Sequence, residues 1–192
     1  MTMLHTYLSS SSGNLYEVND GSTRLMLECG CTFSQLQKLA GYRTGVWAGC
    51  LITHEHGDHA KSARMLHQRG VKIYATAGTL DAIGLGAVKT IKPVAYMEPV
   101  EIGTFSVMPF RTIHNAQEPC GYVIRSNRIG ECLVFATDTY KITETKAPEG
   151  FTKYNGTISG VTKNTDILNG TTTNGISFNV NSGNSTNGYV KD

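Results

Sequence analysis

No segment constrains this chain more than Thr53-His54-Glu55-His56-Gly57-Asp58-His59. Its His54, His56, Asp58 and His59 place three imidazoles and a carboxylate within six residues, at the end of Cys50-Leu51-Ile52-Thr53, a short apolar run that reads as a buried strand. Packing three imidazoles together without a cation leaves donors and acceptors competing for partners. Imidazole nitrogen and carboxylate oxygen both bind zinc at about 2.0 Å, and a turn between strand and helix can aim alternate side chains at two adjacent points. His54 and His56 then serve one metal ion, Asp58 and His59 a second.

Two ions about 3.5 to 4 Å apart can share a bridging hydroxide, which supplies a nucleophile at neutral pH while both cations polarise the bond under attack. One loop offers too few ligands for this. His114, beyond the strand-like Phe105 to Phe110, and Asp138, closing the apolar run Leu133 to Ala136, are the candidates for the rest, with Asp138 able to bridge. His5 and His67 have no such company and read as ordinary surface or core residues.

The surrounding pattern supports this placement. Leu4 to Leu8, Asn14 to Val18 and Arg24 to Leu27 read as a β meander with a turn at Asn19-Asp20-Gly21. Gln35 to Ala40 reads as a short helix. Ala60, Ala63 and Leu66 have helical spacing with Gly70 just past the helix end, and Val71 to Ala75 and Tyr122 to Arg125 read as strands. Strand, metal loop, helix, strand is the resulting order.

His54-Glu55-His56-Gly57-Asp58-His59 resembles the H-x-H-x-D-H signature of the metallo-β-lactamase superfamily. The resemblance implies an α/β fold, an αββα sandwich with metals at one edge. It assigns His54, His56 and His114 to the first metal, Asp58 and His59 to the second, and Asp138 to the bridge. Asp58 is also the catalytic residue, orienting the nucleophilic water. The cofactors implied are two divalent ions, zinc first and manganese or iron otherwise. Leu8-Ser9-Ser10-Ser11-Ser12-Gly13-Asn14, Glu28-Cys29-Gly30 and Phe135-Ala136-Thr137-Asp138 are similar to a bacterial and phage subgroup of cell-wall-regulon-linked exonucleases. That subgroup implies a hydrolase of phosphodiesters, acting on a nucleic acid or a small molecule, rather than a lactamase.

Two departures stand out. Glu28 occupies a place where relatives usually carry an aspartate supporting the metal loop, and the family's last metal-binding histidine lies beyond the bridging aspartate, whereas no histidine follows His114. Composition shifts at the same point. Residues 141–192 hold 10 Thr, 8 Asn and 7 Gly and no His, Cys or Arg, so the expected domains are 1–140, a shortened metallo-β-lactamase-like unit, and 141–192, a β-rich or disordered tail. Tyr140 to Phe151 carries the run Glu144-Thr145-Lys146-Ala147-Pro148-Glu149-Gly150-Phe151 and resembles the B-type domain of Gram-positive adhesins and pilins, with Ile176 to Val180 as a late strand. Two incomplete families meeting at Asp138-Thr139-Tyr140 imply a rearranged reading frame. They also imply that a second sheet and closing helix are lacking and that apolar surface is exposed. An inactive chimeric fragment and an adhesive structural module are the alternatives to the enzyme.

Lys plus Arg number 17 against 15 Asp plus Glu, too even a balance for bulk charge to select nucleic acid or membrane. Lys61, Arg64, Arg69 and Lys72 form a local basic set that could meet phosphates and otherwise reads as a solvated helix face. No apolar run spans a bilayer, no export signal is visible, and the five cysteines lack C-x-x-C spacing, so reduced thiols in the cytoplasm are expected.

Overall fold

Alternation along the first strands decides which layer each side chain joins. The computed structural model describes residues 3–139 and four short strand segments beyond them, Lys141–Ile142, Ile158–Ser159, Gly170–Thr171 and Val190–Lys191. Strands β1 (Met3–Ser10), β2 (Gly13–Asn19) and β3 (Arg24–Leu27) form the expected antiparallel meander. Then β4 (Gly49–Leu51) and β5 (Ile73–Tyr74) add in parallel, giving a five-stranded sheet in the order β1-β2-β3-β4-β5. Leu15, Met26, Cys50 and Ile52 face one side, packing with Leu36, Ala63, Leu66 and Leu80 from the helices. Tyr16, Val18, Leu25, Leu27 and Leu51 face the other. As a strand covered on both faces, β4 is apolar throughout, which is why it reads as a run rather than an alternation.

That second face does not look onto solvent. Strands β6 (Val100–Ile102), β7 (Phe105–Arg111), β8 (Cys120–Ser126) and β9 (Cys132–Phe135) form an antiparallel four-stranded sheet. Its Ile102, Phe105, Val107, Tyr122, Ile124, Leu133 and Phe135 fill the space against the first sheet. The expectation of a lacking second sheet is therefore corrected: the apolar runs before residue 136 suffice to build it. None of the exposed large apolar side chains among the described residues, Leu39, Tyr42, Val46, Met65, Met97 and Ile113, belongs to either sheet. The fold is the expected α/β sandwich, and its described layers are helices, sheet, sheet.

The helices are short. Thr32 caps α1 (Phe33–Leu39) by accepting from the Gln35 N–H. The Ala60-Ala63-Leu66 stripe lies on two helices, α2 (Gly57–Ala60) and α3 (Ala63–Gln68), rather than one. They part at Ser62 because its N–H donates to the Cys29 carbonyl and its hydroxyl to the Cys31 carbonyl, replacing the intrahelical bond. Gly70 follows at φ +84, as the helix-end reading requires. Helix α4 (Ala77–Ala82) and strand β6 were not expected, since six and three residues carry too little periodicity to be read. The Tyr140 to Phe151 run, apart from the backbone pairing of Lys141–Ile142 with Ile158–Ser159, and Ile176 to Val180 lie outside the described residues.

At the end of the sandwich away from His54, the sheets are joined through Asp20. Its carboxylate accepts from the backbone N–H groups of Ser22 and Thr23 and from the hydroxyls of Thr104, at 2.6 Å, and Ser126, at 2.7 Å. Burial alone would raise the Asp20 pKa, but these four donors outweigh it and hold it down to about 2. A carboxyl whose folded pKa lies below its unfolded value of about 3.9 contributes stability that is present above that value and lost as pH falls toward 2. Asp20→Asn should lower the unfolding free energy by about 1–3 kcal/mol at neutral pH and flatten its decline between about pH 4 and pH 2. Urea denaturation across that range measures both, and an unchanged slope would remove Asp20 as the joint.

Candidate metal centre

Three strands end at the same edge of the sandwich, and each delivers a side chain there. Beyond β3 stands Glu28, beyond β4 Thr53 and His54, and beyond β9 Thr137 and Asp138. Glu28 at φ +61 and Asp138 at φ +42 sit in the left-handed region, uncommon for residues other than glycine. In each case the turn ends the strand at the site.

Glu28 is fully buried, so its carboxylate must find donors within the protein. Oε1 accepts from the Thr53 hydroxyl at 2.5 Å and from the Thr137 hydroxyl at 3.3 Å, while Oε2 accepts from the Thr53 N–H. A carboxylate only accepts, so the Thr53 proton is committed to it. The Thr53 oxygen, 2.9 Å from His54 Nδ1, must then act as acceptor, which assigns the His54 proton to Nδ1. His54 Nε2 is left as a bare lone pair, buried and without a hydrogen-bond partner. Burial, then the neighbouring histidines His59, His114 and His56, push the His54 pKa down to about 2, which keeps that lone pair free.

Around it the donor atoms of His54, His56, His114 and Asp138 all lie within 4.8 Å of one another. His114 Nε2 is 3.2 Å from His56 Nδ1, and Asp138 Oδ2 is 3.9 Å from His54 Nε2 and 3.8 Å from His114 Nε2. Asp58, His59 and Asp138 form a second group on the same criterion. His59 Nε2 lies 3.4 Å from Asp138 Oδ2 and 3.5 Å from Asp58 Oδ2, and its Nδ1 lies 3.5 Å from Glu28 Oε1. Burial would lower the His59 pKa, but the Asp138 and Glu28 carboxylates raise it to about 10. All six sequence-predicted residues are thus brought together, with Asp138 common to both groups. The unpartnered His54 Nε2 and the mixed imidazole and carboxylate donors fit a first-row divalent cation.

Residues not singled out as parts of the site hold it in place. Glu55 accepts from the Gln117 N–H at 2.8 Å and Thr139 Oγ1 from the Ile113 N–H at 3.2 Å, tying the loop that carries His114 to both ligand-bearing segments. Gly30 passes so close to the metal loop that an added Cβ would overlap the Asp58 carbonyl oxygen. Asn14, 4 % exposed, places its amide nitrogen 3.1 Å from that same oxygen and 3.2 Å from His59 Nε2. Alternation cannot reveal such roles, because each depends on chain segments distant in sequence.

Three members of the basic set are engaged elsewhere. Arg64 donates to the Ile83 and Gly84 carbonyls, Arg69 lies over the Phe33 ring, and Lys72 lines a cavity of about 580 Å³ beside β5 to which none of the six site residues contributes.

Residues 23–156 match the family model of the beta-lactamase superfamily domain. The chain is 28% identical over 139 residues to exodeoxyribonuclease YycJ of Bacillus anthracis, a match covering 68% of this chain and 52% of that protein. It therefore spans about half the length of that curated relative. Among solved structures, the metallo-beta-lactamase fold protein YhfI of Bacillus subtilis superposes with a TM-score of 0.56 at 19% identity, over 70% of this chain and 61% of that one. A Cronobacter sakazakii metallo-beta-lactamase with a HARLDQ motif superposes with a TM-score of 0.55 at 12% identity, over 69% and 60%.

Glu28→Gln keeps the side-chain volume but removes the charge that fixes the Thr53 proton. Zinc affinity should fall by roughly 10- to 100-fold, read by competition with a chromophoric chelator. An affinity unchanged within twofold, in a folded variant, would show that Glu28 does not set the His54 tautomer.

Proposed function

This chain belongs to the beta-lactamase superfamily, and on that footing we propose that it is a metal-dependent hydrolase of phosphodiesters, of nuclease type. The observation that carries the proposal is the convergence of His54, His56, His114 and Asp138 beside Asp58, His59 and Asp138 at one edge of the sandwich. The first four would hold one divalent ion, zinc, manganese or iron, and Asp58, His59 and Asp138 a second. Bound there, the cations would activate water and polarise the ester. Asp58, with 26% of its side chain exposed against none for His59, is the carboxylate on the open side of the pair and the one that orients the water and takes up its proton. Phosphodiester rather than lactam chemistry is supported by the exodeoxyribonuclease relative.

Among the described residues no helix is long and apolar enough to cross a membrane, and all five cysteines are buried and outside any disulfide. A reducing compartment, the cytoplasm, suits those thiols.

Metal analysis of the purified chain together with hydrolysis of bis(p-nitrophenyl) phosphate tests the proposal, with a lactam run in parallel. Bound divalent metal and phosphodiester turnover are expected, with kcat reduced about 100-fold or more in His56→Ala and Asp58→Ala. Turnover unaffected by both substitutions, or a lactam cleaved in preference, would overturn it.

A further inference from the structure

The second sheet brings a positive charge to the metal edge that no ligand role accounts for. Strand β9 runs toward Asp138, so its antiparallel neighbour β8 begins at that edge and β7 ends there, on Arg111. Arg111 takes the last rung of the β7 to β8 ladder, opposite Cys120, and the Cys120 N–H donates to the carbonyl of Thr53, the residue before His54. Two strand spacings of about 4.8 Å separate β7 from β9, so Arg111 stands roughly 10 Å along the edge from the strand that leads to Asp138. The chain then continues through Thr112 and Ile113 to His114.

Arg111 is exposed but not loose. Its guanidinium lies over the Tyr96 ring, 5.0 Å from the centroid. An arginine held against an aromatic face has less freedom to lose when it grips an anion. The ring is fixed in turn, because the Tyr96 hydroxyl donates to the Pro119 carbonyl at 2.9 Å and the following Met97 N–H donates to the Pro109 carbonyl at 2.8 Å. Burial, with Cys120 and Glu118 beside it, pushes the Tyr96 pKa up to about 12, so the hydroxyl stays a donor. Among the described residues the Arg111 side chain makes neither an ion pair nor a hydrogen bond. Glu118, the acidic member of this cluster, accepts instead from the Gly78 N–H at 2.7 Å. The guanidinium thus keeps its fork of donors for a group outside the fold.

We infer that Arg111 binds a second phosphate of the substrate, the one next to the phosphate held at the cations, so that the substrate is a nucleic-acid strand rather than an isolated phosphodiester. A planar guanidinium meets two phosphate oxygens at once, and an ester with a single phosphate leaves it nothing to meet. The inference rests on the phosphodiesterase reading of the same edge.

Arg111→Met keeps the chain length that covers Tyr96 and removes the charge, and two measurements read the result. In EDTA, fluorescence anisotropy of a short labelled single-stranded DNA follows binding without turnover. Kd should rise about tenfold, and the slope of log Kd against log salt should become shallower by about 0.7. With metal present, KM for the same DNA should rise about tenfold while kcat changes less, and the rise should exceed that for bis(p-nitrophenyl) phosphate at least about fivefold. Equal effects on both substrates, or an unchanged Kd and slope, overturn the inference. If the unsubstituted protein cleaves bis(p-nitrophenyl) phosphate but neither binds nor cleaves the DNA, the inference fails and the hydrolase reading stands. If it cleaves neither substrate, the hydrolase reading fails, and the anisotropy decides the role of Arg111. Circular dichroism checks folding. Should Arg111→Met not fold, Arg111→Lys decides: it keeps the charge but not the fork, so Kd should rise about threefold at an unchanged slope, and an unchanged Kd overturns the inference.

Discussion

A carboxylate with no access to water is the constraint on which the rest of this structure depends. Glu28 is fully buried, and the hydroxyls of Thr53 and Thr137 that donate to it come from different sheets. The arrangement therefore does two things at once: it docks β3 and β4 against β9, and it fixes which nitrogen of His54 carries the proton. Removing either threonine would leave the charge short of a donor, and an unsatisfied buried charge is among the most costly defects a fold can carry. Stability and site chemistry are coupled here through one group.

Backbone strain serves the same purpose. Glu28 and Asp138 both adopt left-handed conformations at strand ends, and Gly30 gives up its side chain so that the Asp58 to His59 backbone can approach. None of this helps the sandwich pack. It makes sense once the edge is read as a place where two acidic and four imidazole side chains must converge.

The sequence displayed its ligands because they sit at the ends of apolar runs, where a buried strand must release the chain toward the edge. Cys50 to Thr53 and Leu133 to Ala136 were legible for that reason, and the glycine past α3 was legible from its place after the helical stripe. What escaped was whatever depends on contact between distant segments. The split at Ser62 comes from a carbonyl at Cys29, and the anchoring of the His114 loop from Glu55 and Thr139. The family resemblance implies that the second sheet comes from sequence beyond the junction, whereas β6 to β9 pair before it and cover the apolar face of β2, β3 and β4. Glu28 shows the converse: the departure from the family pattern was visible, but only the structure shows that the longer side chain reaches Thr53 and Thr137 together.

The bonds that close the two ends of the sandwich span long stretches of chain. Asp20 meets Ser126 across 106 residues, Thr53 meets Thr137 across 84, and Glu28 meets Thr137 across 109. Contacts of such separation form slowly, because the intervening loop must close before they return anything. As the chain emerges from the ribosome, His54, His56 and His59 appear long before Asp138 can join them. The nascent protein thus carries the histidines without the carboxylate that both donor groups share, and the site comes into being only when β9 docks.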